Sequence, residues 1–280
     1  MRRLLTAISL SLLLLVTACS QGDSSADYDI IIRGGDVYDG LGNEAVTADI
    51  GIIGDRIEAL GDLSAASATT EIDARGLAVA PGCINMLSWA TETLIEDGRA
   101  MSDIMQGVTL EVMGEGSSMG PLNEDMKARL RQRQGDIRYD IEWTTLGQYL
   151  EYLEARGVSV NVASYVGATT LRVHEVGYEN REATPDELAR MQELVRQAMR
   201  EGAMGVGSSL IYAPGNFADT DELIALVSAA AEYDGAYISH IRSEGSRLEE
   251  GVQELIKIAS ITGAPSEVYH LKASGRSNWH

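Results

Sequence analysis

Two of the four histidines, His240 and His270, each sit at the C-terminal end of a candidate strand, Ala236 to His240 and Glu267 to Leu271. Imidazole suits zinc and similar ions. One histidine at a strand end is more often a satisfied core residue. Two of them, one strand–helix repeat apart, can converge on a shared pocket and favour a metal. Glu115 is a third candidate, because the flanking Gly114 and Gly116 leave no side chain to crowd an ion. Taken alone, a turn with an exposed glutamate is the plainer reading. Three polar clusters stand at the ends of consecutive apolar runs: Ser208 to Gly215 with Tyr212, His240 to Gly245 with Arg242 and Glu244, and His270 to Gly275 with Lys272. If the last strand continues past His270, alternation puts Lys272 on the same side. Each cluster alone reads equally well as a solvated loop end; their shared place after consecutive strands favours a site. His174 reads as an exposed loop histidine without a role.

These residues need a scaffold that brings strand ends together. Apolar runs at Leu77 to Met86, Val108 to Met113, Val158 to Val166, Ala203 to Ser208, Ala236 to His240 and Glu267 to Leu271 alternate with amphipathic stretches. The clearest helix starts at Thr184-Pro185-Asp186-Glu187, a capping box with proline at the first helical position. Leu188, Met191, Leu194, Val195 and Ala198 recur along it at helical spacing. Asp221 to Tyr233 and Ser246 to Thr262 behave alike. Strand–helix alternation predicts an α/β fold, a (β/α)8 TIM-type barrel whose site lies at the C-terminal ends of the strands. About six barrel strands are found over residues 81–280, so the barrel is expected to be incomplete and the sequence truncated at its C-terminal end. Such a piece, with open sheet edges, is expected to be inactive alone and prone to aggregate. Residues 28–80 read instead as short strands and turns, a small β-sandwich module. It has a strand at Asp29 to Arg33, turns at Gly34-Gly35-Asp36 and Asp39 to Asn43, and a hairpin about Gly54-Asp55.

The formal charge is −20, from 42 acidic and 22 basic residues, which repels phosphate backbones and makes nucleic acid a poor partner. Arg2-Arg3 followed by the apolar run Leu4 to Val16 is too short for a membrane span and reads as a signal peptide over residues 1–18. Val16-Thr17-Ala18-Cys19 resembles the bacterial lipobox, with Cys19 acylated and residues 19–27 a flexible tether. The protein is therefore expected to be exported and lipid-anchored to the bacterial cell envelope, on the periplasmic side. Cys83 is left without a disulfide partner.

From about Tyr28 onward the sequence resembles the N-acyl-D-amino-acid deacylase (D-aminoacylase) branch of the amidohydrolase superfamily. The resemblance runs through Pro81-Gly82, Gln106 to Thr109, Gly114-Glu115-Gly116, Ser208 to Gly215, His240 to Gly245 and His270 to Gly275, the last three being specific. It implies a zinc ion with His240 and His270 as ligands, another divalent metal being compatible. In relatives a cysteine supplies a third ligand, and here Glu115 stands nearest that place. It further implies that Tyr212 and Lys272 bind the carboxylate of a small N-acyl amino acid substrate. Arg242 joins them as a substrate-side residue, or takes a supporting or loop-ordering role with Glu244. The superfamily's His-x-His after the first barrel strand is absent from Pro81 to Trp89, which implies at most one metal ion. The general-base Asp of the family lies after the last barrel strand, so it is expected beyond His280. The rival expectations are a cyclic-amide hydrolase of the dihydroorotase or hydantoinase kind, or a non-catalytic, lipid-anchored binding protein on a decayed barrel.

Overall fold

The computed structural model describes residues 26–279; the expected signal peptide, Cys19 and the tether up to residue 25 lie outside the described residues, as does His280. The protein divides into two units, one ending at Pro81 and one starting at Gly82.

The first unit is one sheet of β1 (Tyr28–Val37), β2 (Val46–Ile53), β3 (Arg56–Gly61), β4 (Ala68–Asp73) and β5 (Ala78–Val79), ordered β3-β2-β1-β4 with β5 also on β1. The Gly54-Asp55 hairpin joins β2 to β3. The turn expected at Gly34-Gly35-Asp36 is instead a bulge inside β1. The register shifts between Ile32 and Gly35, and Gly34 at φ +61° absorbs the extra residue without ending the strand. Arg33 stitches the sheet, donating to Glu71, Asp49 and the carbonyls of Leu63 and Ala66. A sandwich needs a second layer, and the described residues of this unit supply one sheet only, with Ile53, Ile57, Leu60 and Ile72 exposed.

The second unit carries β6 (Cys83–Asn85), β7 (Val108–Met113), β8 (Asn161–Ser164), β9 (Val166–Gly167), β10 (Gly205–Ser209), β11 (Ala236–His240) and β12 (Ser266–Val268). Every pairing among them is parallel, in the orders β6-β7-β8 and β9-β10-β11-β12. β8 and β9 are two halves of one path broken at Tyr165: the first pairs with β7 and the second with β10. Neighbours in space are thus neighbours in sequence, the winding of a (β/α) barrel and not of a doubly wound sheet, whose order reverses. The expected run Leu77 to Met86 is split. β5 belongs to the first sheet and β6 to the second, with Pro81, which has no N–H to give a ladder, between them.

Helices α1 (Thr93–Glu96), α2 (Met101–Ile104), α3 (Glu124–Arg133), α4 (Leu146–Arg156), α5 (Ala168–Glu175), α6 (Pro185–Arg200), α7 (Thr220–Ala231) and α8 (Leu248–Thr262) link the strands. The capping box of α6 forms as its sequence requires: the Glu187 amide donates to the Thr184 hydroxyl at 3.3 Å, and Glu187 accepts from the Thr184 amide at 2.7 Å. Met191, Val195 and Ala198 are its buried stripe. A second capping box, Thr145 with Gln148, starts α4. Alternation along the strands separates two cores. Met113, Val166, Val206 and Tyr237 pack in the large cluster with helix residues such as Leu171, Val195 and Leu226, while Val112, Tyr165, Ile238 and Tyr269 form a smaller cluster. Between α5 and α7 a buried ion pair, Arg172 to Glu222 at 2.5 Å, replaces apolar contact. His174 is not in a loop: it lies in the last turn of α5, with its side chain 20% exposed and Nδ1 2.9 Å from Glu175.

Candidate metal centre

β7 stops at Met113, and the backbone turns through Gly114 at φ +105° and Gly116 at φ +70°. Both glycines are needed for space as well as for angle. A Cβ on Gly114 would lie 2.3 Å from the Tyr165 carbonyl oxygen, and one on Gly116 would lie 2.5 Å from Ser209 Cβ. The turn therefore presses against the neighbouring strands and carries Glu115 inward, leaving it 8% exposed. His240 is the last residue of β11, in register with Ser209 of β10, and is 6% exposed.

His270 was expected inside a strand, but β12 ends at Val268 and His270 sits in the following turn. The Tyr269 amide still bonds the Ser239 carbonyl at 2.9 Å, so the ladder guides the backbone to that point. His270 then adopts φ +34°, a left-handed conformation uncommon for a residue with a Cβ and typical of strain held at working sites. Strand alternation consequently says nothing about Lys272. The turn itself brings Lys272 Nζ within 3.1 Å of His270 Nδ1.

Glu115 Oε1 lies 2.8 Å from His240 Nδ1 and 3.2 Å from His270 Nε2. The imidazole rings meet edge to face with centroids 4.5 Å apart. One ligand atom from each of the three residues falls within 4.8 Å of the others, and among the described residues no other such group of metal-binding side chains occurs. Trp89 Nε1 donates to the second oxygen of Glu115 at 3.1 Å. Glu244, 9% exposed, faces the opposite nitrogens, with Oε1 3.4 Å from His240 Nε2 and 3.2 Å from His270 Nδ1. Lys272 Nζ donates to the same oxygen. Burial alone would raise the Glu244 carboxyl, but Lys272 and the two imidazoles outweigh it and hold the group below the ordinary carboxylate range.

The other expected residues divide. Tyr212 is 62% exposed, its ring edge-on to His240 at 5.4 Å between centroids, at the rim of the cluster. Arg242 points elsewhere. Its guanidinium holds both oxygens of Glu254 and the carbonyls of Asn216 and Ala218, which ties the loop after β10 to α8 and leaves it ordering loops, not facing the cluster. Sequence reasoning missed Trp89, although a tryptophan closing the segment after β6, in a protein with three, was a visible signal.

No protein-family model matches the sequence. D-aminoacylase of Alcaligenes xylosoxydans xylosoxydans is 34% identical over 264 residues, covering 93% of this chain and 54% of its own length. A crystal structure of D-aminoacylase, described as defining a novel subset of amidohydrolases, superposes with a TM-score of 0.80 at 35% identity over 90% of this chain and 53% of that one. The chain is similar to the D-aminoacylase branch of the amidohydrolases. N-acyl-D-glutamate deacylase from Bordetella bronchiseptica, solved with zinc and a phosphonate mimic of the tetrahedral intermediate, aligns with a TM-score of 0.79 at 31% identity over 90% of this chain and 53% of that one. The chain spans about half the length of the relatives it matches. A divalent cation fits what the chain presents: two imidazoles and a carboxylate from separate segments converge, and the donor set is one that zinc accepts.

Proposed function

We propose that the protein is a hydrolase that removes the acyl group from N-acyl-D-amino acids, using one zinc ion held by Glu115, His240 and His270 on a (β/α)8-type barrel of which this chain supplies six strand positions. The observation that carries this reading is the convergence of those three side chains at the C-terminal ends of parallel strands. When bound, the ion would supply Lewis-acid polarisation of an amide carbonyl and acidify water toward a pKa of about 7. The carboxylate of Glu115 supplies an anionic donor where relatives use a thiolate, which also suits manganese or iron. With no histidine from Pro81 to Trp89, the site offers ligands for a single ion.

Lys272, 51% exposed at its side chain, and the exposed Tyr212 stand at the rim, able to hold a substrate carboxylate and so orient the scissile amide. Residues 1–18 and Cys19 support export and lipid anchoring of the whole protein. In the intact protein, His240→Ala is expected to lose bound metal and hydrolysis of a panel of N-acyl-D-amino acids together. Unchanged turnover in that variant would refute the assignment.

A further inference from the structure

A cavity of about 260 Å³ lies where the loops after β7 and β10 meet α3 and α5. The loop that carries Glu115 runs on into its wall at Ser117, and the loop that carries Tyr212 does so at Ala213 and Pro214. Leu122, Met126, Leu130 and Val173 supply an apolar lining. Arg129 and Arg133, four residues apart on one face of α3, are its charged lining, and Arg131 between them is not part of it. No carboxylate lines the cavity, in a chain with 42 acidic and 22 basic residues. Cavities elsewhere are edged by acids, Glu151 and Glu154 in one, Glu250 and Glu254 in another. The Arg129 guanidinium is held over the Tyr178 ring, 5.2 Å from its centroid, a contact that leaves its fork of N–H donors unspent. Among the described residues neither Arg129 nor Arg133 has an ion-pair partner or a side-chain hydrogen bond.

From this lining we infer that the cavity binds an organic carboxylate with a short apolar chain, Arg129 and Arg133 taking the carboxylate and Leu122, Leu130 and Val173 the chain. A guanidinium fork matches a carboxylate through two parallel hydrogen bonds. Inorganic phosphate would satisfy the arginines and leave the apolar lining uncovered; a neutral alcohol would do the reverse. The net charge of −20 repels polyanions at long range, whereas a single carboxylate responds chiefly to the two cations beside it. The site shares no residue with the Glu115, His240 and His270 cluster and needs no metal. The acid released by amide cleavage has this chemistry, so the cavity is suited to hold that product; this link, unlike the binding itself, rests on the hydrolase reading above.

The test uses the intact protein stripped of metal, with hexanoate as the probe. Isothermal titration calorimetry should show hexanoate binding that weakens at least about tenfold in Arg129→Gln and in Arg133→Gln and is unaltered in Lys272→Met. Both arginines are exposed on α3, so thermal unfolding of their variants should match the parent. Phosphate, lacking the chain, and hexanol, lacking the charge, should each bind at least about tenfold more weakly than hexanoate. Nitrogen-15 NMR of the arginine side chains in the unsubstituted protein should show Arg129 and Arg133 shifting on addition of hexanoate, which decides the matter if a variant fails to fold. Absence of hexanoate binding, equal affinity in both arginine variants, loss of binding in Lys272→Met, or phosphate bound as tightly as hexanoate would overturn the assignment. Neither zinc nor turnover is read, so failure of the metal reading would leave this result standing.

Discussion

Glu111 shows what an unmatched buried carboxyl costs this protein. It is 1% exposed on β7, accepts from Asn85 at 3.3 Å, and leaves Oε1 without a partner. Burial, reinforced by the nearby Asp103 carboxylate, pushes its pKa above the ordinary 4.5 despite hydrogen bonding from Ser88. A raised carboxyl binds its proton more tightly folded than unfolded, so its penalty is absent below pH 4.5 and grows as pH rises through the folded value. Glu111→Gln keeps an acceptor and removes the charge. Its melting temperature should match the parent near pH 4 and exceed it increasingly toward pH 8; a constant difference across that range would contradict this. The candidate ligands were legible because their types are scarce and their places regular: two of four histidines, and one glutamate between glycines, all beyond apolar runs. Trp89 and Glu244 were harder to read, because their contacts arise from three-dimensional approach between loops 26 or more positions apart or from a turn no periodicity announces. Arg242 looked like a site residue by proximity in sequence, yet Glu254 on α8 takes its charge.

At the scale of elements, close backbone approach does the positioning. A Cβ on Gly207 of β10 would lie 2.1 Å from the Gly114 carbonyl oxygen, directly behind the Glu115 turn. Gly207→Ala should therefore cost about 1–3 kcal/mol by overpacking and weaken metal retention as the turn is displaced. Full metal content with unchanged stability would show that the turn is not set by this contact. The capping box of α6, read directly from Thr184 and Glu187, acts on stability alone. Thr184→Ala should lower unfolding free energy by about 1 kcal/mol, measured by denaturant titration, with metal content untouched. Helices and most strands were legible from period and caps. The exceptions have physical causes: Gly34 converts an expected turn into a bulge, and β12 stops after three residues because the backbone must turn at His270.

Across the molecule, a formal charge of −20 surrounds a site that gathers histidines and Lys272 beside two glutamates, so cationic ligands are attracted from a distance while the donor set fixes where one can stay. Sequential parallel strand order, read from the alternation of apolar and amphipathic runs, is what aligns the ends of β7, β11 and β12. The break at Tyr165 was not legible, since Val158 to Val166 is continuously compatible with one strand. The α/β fold class and the candidate trio were thus legible in pattern and residue type, and the fine geometry of the trio comes from packing.

The central claim is that oxygen from Glu115 and nitrogen from two imidazoles hold one cation. Zinc X-ray absorption on the intact protein, loaded with a single equivalent, tests it most directly. The expected first shell is nitrogen and oxygen at about 2.0–2.2 Å with imidazole outer scattering, lost in His240→Ala. A sulfur shell at about 2.3 Å, or the same zinc spectrum in His240→Ala, would contradict it.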